Sequence, residues 1–121
     1  MSECRKFDNG KPRVSLIMMS KALLEIAKVG TMGAKKYGDH NFRNGMDWSR
    51  LADADQRHFL QYLDGELVDQ ESKLSHLAHH AWNAIALLEY ELNGIGNNDL
   101  FKGYKKEEEK DGDTENRSSN R

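Results

Sequence analysis

Cysteine and proline are nearly absent: Cys4 and Pro12 are the only examples in 121 residues. A single cysteine excludes an internal disulfide framework and any cysteine-rich zinc site. It fits a reduced, cytoplasmic setting. No apolar run approaches the ~20 residues of a membrane span. The opening MSECRKFDNGKPR is polar and lacks the apolar stretch of a signal peptide. GxxxxGK[ST], GxSxG, HExxH and any Cys–His arrangement are all missing, so a P-loop and the common hydrolase signatures are excluded. There is no internal repeat, and no segment alternates convincingly as a strand.

What is present is charge. Charged residues make up 31% and the hydrophobic set 37%, and mean hydropathy is -0.85. The length suits one small domain, which buries only part of its unfolded surface. Subunits that complete each other's cores, a homo-oligomer, are therefore expected. The formal net charge of -2 argues against bulk nucleic-acid binding. The distribution says more. Residues 1–63 carry eleven Lys/Arg against seven acids, and residues 64–101 carry Lys73 alone against seven acids. A basic half and an acidic half can form two faces of one site, one for phosphates and one for a metal ion. Interhelical salt bridges are the plainer use of the same pattern.

The expected fold class is mainly α: a small helical bundle with an extended N-terminal arm (1–13), a helical domain (14–95) and a disordered, charged C-terminal tail (102–121). The tail has no apolar residue after Tyr104 and cannot offset its ordering entropy. Asp8-Asn9-Gly10 signals a turn in the arm. VSLIMM (14–19) is too short to assign between a strand and the start of a helix. A first helix follows Ser20 as N-cap, with Leu23, Leu24, Ala27 and Met32 on one face, and ends at Gly38. Gly30 and Gly33 weaken its middle. A second helix begins near Ser49, with stripes marked by Leu51, Ala54, His58, Leu60 or Gln61, and Tyr62, and stops before Gly65. A third, capped by Ser72 or Ser75 and ended by Gly94, carries Leu74, Leu77, Ala78, Ala81, Ile85, Leu88 and Leu92 at helical spacing. The short connection makes the last two helices an antiparallel hairpin.

Four of the five histidines fall on the later helices. His76 and His79 share one helical face, and His80 lies on another stripe. Glu66, Asp69 and Glu71 crowd the intervening GELVDQES. Imidazoles at helical spacing facing carboxylates suit a divalent metal or a phosphate-ester acid/base site. The metal candidates are Glu66, Asp69, Glu71, His76 and His79; the catalytic candidates are His58, Glu66 and His79. Hydrogen-bonded interface histidines and acids favouring a helix macrodipole are the structural alternative. Lys11, Arg13, Lys36, Arg43, Arg50 and Arg57, with Trp48 and Asn83, are the nucleotide and phosphate candidates. Phe42, Trp48 and Trp82 are available for stacking on a base, although tryptophans more often fill a core.

FDNGKPRVSLI, GAKKYGDHNFRNGMDWSR and RHFLQYLDGELVDQESKLSHLAHHAWNAIALLE, taken together, resemble the phage and prophage family of dATP/dGTP diphosphohydrolase N-terminal domains. The resemblance runs over about residues 6–91. It implies hydrolysis of purine deoxynucleoside triphosphates to monophosphate and pyrophosphate, with a divalent metal, Mg or Mn. A more distant similarity is to the MazG-like all-α pyrophosphohydrolases, which hold Mg with ExxE on one helix and ExxD on another. Here HLAHHAWN stands where ELGDxLWN is expected, so His76 and His79 occupy the second acidic pair's positions, and His58 stands in place of ExxE. Imidazole is a poorer Mg ligand than carboxylate. The departure requires either another metal or hard ligands from Glu66, Asp69 and Glu71. Its other outcome is a non-catalytic phage protein that sequesters nucleotide immune signals.

Overall fold

Residues 3–100 are described by a computed structural model. The expected tail, 102–121, lies outside them. Three helices form: α1 (Ser20–Tyr37), α2 (Trp48–Leu63) and α3 (His76–Asn93). Short 3-10 helices occupy Val14–Ile17 and Asn41–Asn44, which resolves the VSLIMM segment as a helical turn. Among the described residues there is no strand, only two isolated bridges. Residues 3–13 are exposed and contain neither helix nor strand; the turn at Asp8-Asn9-Gly10 closes with Lys11 N–H on the Asp8 carbonyl.

The helix ends follow local chemistry, with two exceptions. Ser75 caps α3 by accepting from Ala78 N–H at 3.2 Å, and Gly94 ends it in the left-handed conformation. Gly38 N–H closes α1 on the Ala34 carbonyl. Ser20, however, is the first helical residue rather than the cap, and its hydroxyl makes no capping bond. The second exception is α2. Its Ser49 backbone N–H and hydroxyl donate to the Asp99 carboxylate at 2.9 and 2.7 Å, so the capping acid comes from the far end of the domain. An anion there also meets the positive end of the helix dipole.

Helices α2 and α3 run antiparallel. The later half of α2 meets the start of α3 through His58–His76, while Trp48, at the start of α2, reaches Ile95 beyond the end of α3. The core lies at that second end. Leu51, Ala86 and Tyr90 are buried there beneath Phe42, Met46, Trp48, Trp82, Leu87 and Ile95. The Tyr90 hydroxyl donates to the Phe42 carbonyl at 2.6 Å, and burial pushes its pKa up. Gly30 has a packing reason for standing mid-helix: a Cβ there would lie 3.1 Å from Trp82 Nε1. On α1 the buried residue is Val29, while Leu24 and Ala27 of the expected apolar face are exposed.

The larger departure is on α3. Its inward face is His76, His79, Asn83, Ala86 and Tyr90, while Leu77, Ile85, Leu88 and Leu92 of the expected core stripe are 39–56% exposed. The periodicity is helical as expected, but the leucines face away from the chain's own core. His76, His79 and Asn83 share the inward positions with Ala78, which the expected stripe included, and with Ala86 and Tyr90.

Residues 95–100 close back over the start of α2. Trp48 N–H donates to the Asn97 carbonyl at 2.9 Å, and Asn97 N–H donates to the Met46 carbonyl at 3.2 Å. This approach requires glycine at 96, where φ is +78° and a Cβ would stand 2.4 Å from the Met46 carbonyl oxygen. Gly65 also has positive φ, +102°, but open space around it. Gly65→Ala should therefore lose only the backbone term of about 1–2 kcal/mol. Gly96→Ala should lose more, because main chain must move as well. Urea unfolding of the two variants measures the difference, and equal losses would show that close approach contributes nothing.

Candidate metal and nucleotide site

At the opposite end of the α2–α3 hairpin, the helices and their connection bring six polar side chains together. α2 supplies His58. The connection supplies Glu66, Asp69 and Ser72, and α3 supplies His76 and His79. The connection is tightly wound: Asp69 N–H bonds the Leu74 carbonyl, His76 N–H bonds the Leu67 carbonyl, and Lys73 takes a left-handed φ of +65°. Ser72 N–H donates to Asp69 Oδ2 at 2.7 Å, which fixes that carboxylate.

His76 has no solvent exposure, so both ring nitrogens must be satisfied inside. Nε2 lies 2.7 Å from Glu66 Oε1, and Nδ1 lies 2.9 Å from His58 Nδ1. An ionised carboxylate only accepts, which assigns the hydrogen to His76 Nε2 and leaves Nδ1 a lone pair. His58 Nδ1 then donates to it. His58, Asp69 and His76 each bring one ligand atom within 4.8 Å of the others. Two nitrogens about 2.1 Å from one ion and at right angles to it lie about 3.0 Å apart, so the Nδ1 pair already has ligand spacing. A metal requires His58 to carry its hydrogen on Nε2 instead, a change of tautomer without loss of charge. Glu66 on the far nitrogen of His76 is the usual outer partner of a ligating imidazole. The donor set fits a divalent ion.

Electrostatics keep the imidazoles ready. Burial lowers the His58 pKa, and the neighbouring His79, His76 and Arg57 lower it further, against the opposing pull of Asp69. Burial also lowers His79; Asp69 opposes this, and His76 and Lys36 add to it. Both rings are therefore neutral at neutral pH and able to ligate or to accept a proton. Burial pushes the Asp69 carboxyl up, but Ser72's backbone N–H and hydroxyl, and then His58 and His79, outweigh it and hold the pKa below the ordinary value. His79 stacks on His58 at 4.1 Å, with planes 6° apart, and shares a 2.7 Å hydrogen bond with Ser72 Oγ through Nε2.

The other sequence candidates are scattered. Lys36 and Arg57 act on the histidines through charge. Glu71 is exposed on the connection, and Arg50 is exposed on the first turn of α2. Lys11 and Arg13 are exposed in the arm. Arg43 pairs with Glu89 at 3.3 Å and lies over the Phe42 ring. Glu89 is ten residues beyond His79, about 15 Å along the helix. Trp48 belongs to the core at the other end, its indole N–H bound to the Ile95 carbonyl at 2.7 Å. Phe42 and Trp82 pack there too, ring against ring at 5.7 Å. Asn83 donates to the His79 carbonyl at 2.8 Å and so holds backbone. Ser72, considered from sequence only as a helix cap, joins the site. His80 pairs with the buried Asp55, a partner the sequence reading did not consider.

The family model described as "dATP/dGTP diphosphohydrolase, N-terminal" matches residues 1–100. The chain belongs to this family. One relative is a "dATP/dGTP diphosphohydrolase" of Salmonella phage PMBT28, 41% identical over 76 residues, or 63% of this chain and 26% of the relative. The matched stretch thus spans about a quarter of that relative's length. No solved structure matches.

In this domain, His58 and His79 link folding to pH. With folded pKa values below 6.5 for His58 and His79, the unfolded chain binds more protons as pH falls through about 6.5. Their contribution is full above that pH and is lost as pH falls toward the depressed folded values. The melting temperature of metal-free protein should fall between pH ~7.5 and ~5.5, and His79→Gln should flatten the slope. A melting temperature constant across that range would show that the two rings titrate as exposed histidines do.

Proposed function

We propose that this domain carries out metal-dependent hydrolysis of purine deoxynucleoside triphosphates to monophosphate and pyrophosphate, with His58, Asp69 and His76 as the divalent-ion ligands. One observation carries the reading: two imidazole nitrogens 2.9 Å apart, one backed by Glu66, with a carboxylate oxygen within 4.8 Å. The substrate class comes from the family and from the phage relative's name. Of Mg and Mn, two imidazoles and one carboxylate favour Mn.

When bound, a divalent ion supplies charge that polarises a phosphoryl oxygen and makes water more acidic. The chain's own groups do the rest. Glu66 orients His76. His79, neutral and stacked on His58, accepts the proton of the attacking water. Lys36 and Arg57 offset the triphosphate charge. The purine nucleotide is the small-molecule partner, and the working form is a homo-oligomer in the host cytoplasm.

Mn binding by calorimetry, followed by product analysis with dATP and dGTP, tests this. Glu66→Gln keeps an acceptor on His76 but loses the charge, and should weaken Mn binding about 10–100-fold with the helical signal intact. His58→Ala should abolish pyrophosphate release. Failure of the wild type to bind Mn sinks the metal assignment. Stoichiometric retention of intact dNTP, without pyrophosphate, makes the protein a nucleotide sequestrant instead.

A further inference from the structure

Two apolar strips stand uncovered among the described residues. The first is on the arm and the turn that follows: Phe7 is 91% exposed, and Val14, Leu16, Ile17, Met18 and Met19 are each 60–65% exposed. The second is the outward strip of α3, Leu77, Ile85, Leu88 and Leu92. Isolated exposed apolar residues are ordinary, but two contiguous strips on so small a domain are not.

The strips match in charge and in length. Residues 5–21 carry Arg5, Lys6, Lys11, Arg13 and Lys21 against Asp8 alone. Helix α3 contains no lysine or arginine, and Glu89 and Glu91 flank its outward strip, Glu89 meeting Arg43 on one side. The 18 residues of α3 extend about 27 Å. Residues 7–19 hold the Asp8–Lys11 turn and the 3-10 helix Val14–Ile17, so they span roughly 30 Å, close to the length of the strip. Ten such side chains leave on the order of 1,000 Å² of surface per copy, enough for the ~800 Å² per partner that a specific interface buries.

We infer that a second copy of this chain covers α3, in a two-fold dimer in which each copy's basic, apolar segment 5–19 lies along the outward strip of the other's α3. The arrangement is isologous, since each copy both gives and receives an arm. It assigns Lys11 and Arg13 to the partner's acidic margin rather than to the nucleotide site. The inference is independent of the metal and of hydrolysis, so it stands or falls separately from them.

The sole cysteine makes the test direct. A spin label on Cys4 of one sample is mixed with isotope-labelled full-length Cys4→Ser chain. Light scattering should give twice the 13.9 kDa chain mass at micromolar concentration. The label should broaden the amide signals of Ile85, Leu88 and Leu92 in the other copy. Leu88→Glu, at a position exposed in the single chain, should give monomers with unchanged helical signal. Lys11→Glu with Arg13→Glu should weaken the dimer about tenfold, less so at high salt. A monomeric mass overturns the inference. So does a dimer in which the α3 signals are unaffected, or a monomer whose arm instead binds vesicles containing anionic phosphatidylserine.

Discussion

A fully buried imidazole has two nitrogens to satisfy, and at His76 the two partners come from different parts of the chain. Glu66 lies on the connection and His58 on α2. An unpaired buried polar atom costs about 1–3 kcal/mol, so His76 ties the helix pair to the connection. Placing His76 at the very start of α3, directly after its cap, makes this possible. The ring reaches back to the connection and across to α2 from one position.

The same constraint explains the division of the domain into two ends. At one end, Leu51, Ala86 and Tyr90 close an apolar core under the returning residues 95–100. At the other, histidines and carboxylates take the inward positions. An inward face that is half polar leaves less apolar surface inside the chain, and α3 correspondingly carries its leucines outward. The candidate site and the core share one helix: His76, His79 and Asn83 take inward positions of α3 that apolar side chains would otherwise fill.

The family carries nucleotide hydrolysis in its description, while the candidate site here is rich in imidazole. On the facing helices stand His58, His76 and His79, and the carboxylates Glu66 and Asp69 enter from the connection. Asp69, fixed by Ser72 and with its pKa held down by the histidines, is the carboxylate that stands beside them.

The sequence by itself determined the three helices, the Gly94 cap, the antiparallel hairpin and the grouping of His76 and His79, and left the α3 cap between Ser72 and Ser75. Each follows from local rules: side-chain spacing of 3.6, cap chemistry and the length of a connection. Only the tertiary structure decided which side of α3 faces inward, because periodicity locates a stripe without saying what covers it. It also separated Trp48 and Arg43 from the histidines, exchanged Glu71 for Ser72, joined His80 to Asp55 and placed Asp99 on the first turn of α2. These are pairings across long stretches of chain, set by packing and by the need to satisfy buried polar atoms. No spacing within a single segment contains that information.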